Sequence, residues 1–219
     1  MPTVDALPPV RPAPPAAASA RAPRPWLGWL AGAAALRIQL ALGRHAPALA
    51  HAQRLVARRP GSLWAQATCA HLLALAGRHD EALAHARAAV AAAASPAVRP
   101  AARATAWFNL GYLLDQAGDV AASAEAFRQA LRAQPRLDRA WYGLGLAGLK
   151  AGRLDEAEHA LRQCTRLQPM APHPWYQLAR LLAERGQTEE AGRVIARLRR
   201  VEPRAAAQAA RETGLEPAP

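Results

Sequence analysis

Residues 104–205 fall into three lines: ATAWFNLGYLLDQAGDVAASAEAFRQALRAQPRL (104–137), DRAWYGLGLAGLKAGRLDEAEHALRQCTRLQPMA (138–171) and PHPWYQLARLLAERGQTEEAGRVIARLRRVEPRA (172–205). Written under one another they share a 34-residue period. Trp107, Trp141 and Trp175 align, as do Gly118, Gly152 and Gly186, and Pro135, Pro169 and Pro203. Three residue types in one register mark a tandem unit. A Leu follows each Trp by three positions (Leu110, Leu144, Leu178), and a small residue comes next (Gly111, Gly145, Ala179). The mid-unit Gly suits the end of a first helix, where a left-handed turn is costly for a residue with a Cβ. Acidic pairs follow at Asp155-Glu156 and Glu189-Glu190, and earlier at Asp80-Glu81. They place negative charge at the positive end of a second helix. The closing Pro stops that helix and can begin the next turn. Small residues (Gly111, Gly145, Ala157, Ala191) let the paired helices approach, and the Trp residues fill the space between them. One pair alone leaves an apolar face uncovered, so neighbouring pairs must stack.

The composition agrees with helices throughout. Ala supplies 59 of the 219 residues, and Ala is the best helix former. Scarce β-branched residues exclude a β-sandwich, a barrel or a Val/Ile-rich parallel sheet. Two cysteines, Cys69 and Cys164, cannot build a disulfide framework or a zinc ribbon. Both read as buried thiols with no activating partner. The formal charge of +12 is carried by arginine, since Lys150 is the only lysine. Such an Ala/Arg-rich, Lys-poor chain is what a GC-rich bacterial genome yields, so arginine count alone says little about nucleic acid.

The register extends upstream. Gly77, Ala82, Ala86 and Ala89 place a unit at 63–96, and Gly43, Ala48, Ala52, Leu55 and Pro60 place one at 29–62. Both depart from the pattern, with Gln66 and Gly32 standing where Trp is expected. Residues 97–103 interrupt the register. There Ser95-Pro96 and Arg99-Pro100 break one helix and start a lengthened one, so the stack is expected to bend or split. The Ala-rich stretch 206–213, ended by Gly214, reads as a capping helix, with 214–219 disordered beyond it. Residues 1–25 contain eight Pro and seven Ala, with only Val4, Leu7 and Val10 as larger apolar side chains after Met1. They cannot bury enough surface to offset chain entropy and read as a disordered, polyproline-like tail. The apolar run Trp26–Leu36, ended by Arg37, is shorter than the roughly 20 residues a spanning helix needs. Arg21 and Arg24 ahead of it, and Ala33-Ala34-Ala35 within it, give it some features of an export signal. Its place in the repeat register argues otherwise. A cytoplasmic location is expected, with membrane association or export through 26–36 as the alternative.

This pattern resembles the tetratricopeptide repeat (TPR), a 34-residue helix–turn–helix unit, over most of the chain. The resemblance implies an all-α, right-handed α-α superhelix: a TPR solenoid of about five helix-turn-helix repeats with a C-terminal capping helix. In that family the first helices line a concave groove. Carried onto this chain, Phe108, Tyr142 and Tyr176 form an aromatic row, joined by Asn109, Tyr112, Arg139, His173, Gln177 and Arg180. Aromatic anchors beside amide and cationic donors suit an extended peptide or a partner helix. The same aromatics would also serve to buttress the adjacent helix. The carboxylate clamp of the chaperone co-factors in this family is not matched: Asn109 and Arg139 fit it, while Ala67, His71 and Gly143 do not.

Charge is uneven. Residues 1–62 carry eight Arg against Asp5, and the 172–205 unit carries seven Arg against four Glu. Basic ends make a nucleic acid or another anionic surface the alternative partner, and no nucleic-acid motif accompanies them. The seven histidines lack the spacing that metal ligands on one helix need. No nucleophile elbow, phosphate loop or paired carboxylate for acid–base work is present. The expectation is a non-enzymatic adaptor or scaffold. It would need no cofactor or metal, and its partner would be another protein rather than nucleic acid or membrane. Its oligomeric state is left open.

Overall fold

The computed structural model of the protein describes residues 25–215. The Pro/Ala-rich tail through residue 24 and the end at 216–219 lie outside the described residues. Eleven helices and no strand are found among the described residues. They run in five pairs: α1 (Pro25–Ala41) with α2 (His45–Arg58), α3 (Leu63–Leu75) with α4 (His79–Ala93), and α5 (Pro100–Gln116) with α6 (Val120–Ala133). Then come α7 (Asp138–Lys150) with α8 (Leu154–Leu167), and α9 (Pro172–Glu184) with α10 (Thr188–Val201), before a final α11 (Pro203–Thr213). Helix α1 begins at Pro25, ahead of residue 29, because the apolar run continues the helix backwards. Helix α11 likewise begins at Pro203 rather than 206. Glu202 is extended there, and its carboxylate accepts the Arg204 N–H, so proline takes a first-turn position that needs no donor.

Each pair turns on a glycine. Gly43, Gly77, Gly118, Gly152 and Gly186 have φ between +66° and +80°. After each, the next N–H reaches back across the turn, as in Arg153 to Gly148 O at 2.9 Å and Gln187 to Leu182 O at 2.9 Å. This is the helix-ending motif in which a left-handed residue lets the chain satisfy the last carbonyls.

The tryptophans do more than fill space. Trp141 Nε1 donates to Pro135 O at 2.8 Å, and Trp175 Nε1 donates to Pro169 O at 2.9 Å. Gln66 holds the same register in its unit, and its Nε2 donates to Pro60 O at 2.8 Å. An amide thus makes the bond that an indole makes elsewhere, tying the start of a first helix to the preceding proline. The other end of Gln66 meets His85 Nδ1 at 2.6 Å.

Across the 97–103 interruption the stack stays continuous. One apolar cluster joins Leu36, Leu55 and Leu73 to Leu110, Leu114 and Ala126. Arg103 spans the break, donating to Ala93 O at 3.0 Å and Ser95 O at 3.1 Å. The extra residues are absorbed by lengthening α5, which starts at Pro100.

First helices form one layer, since α3 touches α5, α5 touches α7, and α9 touches α11. Second helices form the other, laced by charge. Arg128 of α6 bonds Glu156 of α8 at 2.8 Å, and one unit later Arg162 of α8 bonds Glu190 of α10 at 2.8 Å. These two acids bridge units, beyond favouring their own helix starts. Burial works against the charge of Glu156, but bonds from Arg153 and Arg128 outweigh it and hold the carboxyl below its ordinary range. Solvent screening keeps each such pair to about 1 kcal/mol or less.

Two glycine variants separate turn geometry from helix propensity. Gly152→Ala, at φ +68°, should destabilise the chain by about 1 kcal/mol. Gly192→Ala, inside α10 with open space around an added Cβ, should stabilise it by about 0.5–1 kcal/mol. Urea unfolding of both variants measures this; shifts of the same sign would contradict the account.

Candidate functional site

The first-helix layer holds a cavity of about 360 Å³. Its walls are Phe108, Tyr112 and Asp115 of α5, Arg139, Tyr142 and Leu146 of α7, and His173 and Pro174 of α9. Its floor is Phe127 of α6 and Cys164 of α8. The floor exists because two backbones come close. A Cβ on Gly143 would lie 2.5 Å from Phe127 Cζ, and one on Gly111 would lie 2.9 Å from Phe127 Cδ1. The phenyl ring occupies the room those side chains would take. Phe108 leans on it with ring centroids 5.9 Å apart and planes tilted by 43°. The guanidinium of Arg139 sits 4.7 Å above the Phe108 ring, a cation–π contact that holds the arginine at the rim.

The interior is apolar and the rim carries both signs of charge. Asp115 accepts from Lys150 Nζ at 2.6 Å, linking α5 to α7. Tyr112 is 52% exposed, with its hydroxyl accepting from Gln116 at 3.2 Å. Burial pushes the Tyr142 phenol above its ordinary value. Burial, with the charge of Asp138, pushes the Cys164 thiol up to about 11, and burial takes Cys69 to about 11. At neutral pH both thiols stay protonated and are poor nucleophiles, Cys164 in the cavity floor and Cys69 in the core of the first units. Among the described residues no group of three His, Cys, Asp or Glu side chains could hold a metal ion.

The nine residues singled out from the sequence divide. Phe108, Tyr112, Arg139, Tyr142 and His173 surround the cavity. Asn109 is half-buried on α5 and does not line it. The α9 residues Tyr176 and Arg180 turn toward α11. Tyr176 Oη donates to Glu212 at 2.6 Å, Gln208 Nε2 donates to Tyr176 Oη at 3.2 Å, and Arg180 pairs with Glu212 at 3.4 Å. The aromatic row is therefore cut in two by the final helix folding back over α9. Gln177 lines a neighbouring cleft of about 300 Å³ with Leu146, Lys150 and Arg180. Sequence reasoning missed the floor, Phe127 and Cys164, which belong to second helices. The signal available was Gly143, where the next unit has Gln177 and the preceding one Asn109.

A family model of the tetratricopeptide repeat matches residues 70–138 and 108–172, and a second model of the same repeat matches 148–212. The chain belongs to the tetratricopeptide-repeat family. Solved TPR-type structures superpose over most of it. MamA from Desulfovibrio magneticus RS-1 is 16% identical with a TM-score of 0.70, covering 80% of this chain and 95% of that one. YrrB, described as a TPR protein with an unusual peptide-binding site, is 16% identical with a TM-score of 0.67, covering 80% and 88%. PilF of Pseudomonas aeruginosa is 19% identical with a TM-score of 0.65, covering 86% and 91%. At these identities the likeness is one of fold, the right-handed TPR superhelix. No curated protein matches the chain.

The two buried thiols make stability depend on alkaline pH. Each has a folded pKa near 11 against an ordinary 9.0, so the folded state favours the protonated form. Their contribution is full below about pH 9 and is lost as the pH climbs toward 11. Chemical unfolding across that window should show falling stability, with a shallower fall in a Cys69→Ala/Cys164→Ala chain. Equal slopes in the two proteins would contradict the assignment.

Proposed function

We propose that this TPR protein is a non-catalytic scaffold that holds a peptide segment or helix of another protein in the groove of its first helices. The cavity between α5, α7 and α9 is the anchor point. The observation that carries the reading is that cavity itself: an apolar recess of about 360 Å³, large enough for a bulky side chain, opening on the first-helix layer. Exposed Tyr112, Arg139 and His173 stand at its mouth, where they can hold the rest of a bound segment. Aromatic and arginine side chains around a desolvated pocket are what dominant binding contacts are made of. The peptide-binding site named for YrrB lies on the same type of fold and supports a protein ligand. The recess is mostly apolar, and its one thiol, Cys164, stays protonated at neutral pH, which favours binding over turnover.

The alternative, an anionic partner held at the basic ends, differs in its response to salt. Binding carried by phosphate contacts falls steeply as salt rises, whereas burial of an apolar anchor does not.

The test is selection of a random peptide library on the immobilised full chain, followed by affinity measurement on variants. Tyr112→Ala/Arg139→Ala should weaken the selected peptide by at least about tenfold, since two such contacts are worth some 2 kcal/mol together. The melting temperature should stay close to the parent's, and Arg197→Ala on α10 should bind normally. Peptides that bind the folded double variant as well as the parent, or that dissociate in high salt, would overturn the groove reading.

A further inference from the structure

The two ends of the stack are finished differently. At the C-terminal end, α11 buries Ala206 and Ala209 and turns Arg204, Gln208, Arg211 and Glu212 to solvent. At the N-terminal end no such cover is present among the described residues. Helix α1 buries Ala33 and Leu36 against its own unit. On its outer side Leu30 is 50% exposed, Ile38 57% and Leu42, just past its end, 61%, with exposed Ala34 between them. Residues 30, 34, 38 and 42 are spaced by four, so they form one ridge about 18 Å long.

Charge frames this ridge. Arg37 borders it on one side, held 5.7 Å from the Trp64 ring. On the other side Ala31 and Ala35 share a shallow cleft with His51 and Arg54 of α2. Between Asp5 and Asp80 the sequence contains no Asp or Glu and nine Arg. The ridge therefore meets no carboxylate of its own region.

We propose that α1 is a peripheral docking element for an anionic phospholipid surface, lying flat with its aliphatic ridge at the acyl boundary and its arginines at the phosphates. An exposed apolar stripe with cations beside it is suited to the boundary between lipid phosphates and acyl chains. Arginines near an anionic leaflet strengthen the attachment. No described helix is long and apolar enough to cross a membrane. Charge separates this occupant from the others. A second copy packed on the same ridge would set Arg37 and Arg54 against their own counterparts with no acid to pair them. The residues ahead of α1 carry only Met1, Val4, Leu7 and Val10 as larger apolar side chains, and add Arg11, Arg21 and Arg24.

The experiment is co-sedimentation of the full chain with phosphatidylcholine vesicles, with and without phosphatidylglycerol. Two double variants run beside it: Ile38→Glu/Leu42→Glu and Arg37→Gln/Arg54→Gln. Circular dichroism and melting are checked for each. The parent should partition onto the anionic vesicles and release in high salt, and each folded variant should lose at least about tenfold in partitioning. Absence of binding to the anionic vesicles overturns the proposal. So does a folded Ile38→Glu/Leu42→Glu chain that binds like the parent. Light scattering that shows a dimer, made monomeric by the same variant, assigns the ridge to a second copy instead. Binding of single-stranded RNA in place of vesicles, dependent on Arg37 and Arg54 alone, assigns the arginines to nucleic acid and equally rejects the lipid surface.

Discussion

The ring of Phe127 stands where side chains on residues 111 and 143 would otherwise be, and the centre of the stack is organised around that substitution of space. Gly111 lets α6 close against α5, and Gly143 lets α7 close over the same ring. Packing at this density leaves no slack, so a methyl group at either position must displace an aromatic side chain. One unit later Leu161 fills the corresponding gap beside Gly145, whose added Cβ would lie 2.9 Å from Leu161 Cγ. There Gln177 stands in the register position that Gly143 holds here. With no side chain at 143, the ring of Phe127 reaches between α5 and α7 and forms the floor of the recess. Cavity and fold have one cause: a close approach of backbones, bridged by one large residue from the second-helix layer.

Much of this was legible in the primary structure because solenoids repeat their solutions. The mid-unit glycines mark the turns through their positive φ, and the terminal prolines mark where second helices stop. Gln66 looked like a defect where Trp was expected, yet it makes the same bond to the preceding proline carbonyl, because the register required a donor there rather than an indole. What was not legible lies between elements distant in sequence. Nothing local to Tyr176 shows that Glu212 will claim its hydroxyl, since that contact depends on how α11 folds back. Nor does periodicity show that Phe127 and Cys164 reach through from the second-helix layer to floor a recess in the first. Glu156 and Glu190 read locally as helix-start acids, and their bonds to Arg128 and Arg162 appear only when neighbouring units are stacked.

Charge is partitioned along the stack in a way that the net value conceals. In the later units arginines are committed to acids across neighbouring helices, as Arg185 is to Asp155 and Glu158. In the first unit no acid is present, and arginines lie on aromatic rings instead, with Arg59 4.9 Å from the Trp29 ring. Guanidinium groups stacked on aromatics keep donors free for other oxygens, whereas those bonded to carboxylates do not. The middle of the chain is therefore balanced around an apolar recess, and the first unit is cationic around an apolar ridge. These are two surfaces of different chemistry on one superhelix.

The most direct test of the central claim is amide hydrogen exchange of the full chain with and without a peptide selected on it. Occupation of the recess predicts slowed exchange in α5, in α7 and in the first turns of α9, with α8 and α10 unchanged on their outer sides. Protection confined to α10, or to α1 and α2, would place the ligand away from the recess and contradict the account.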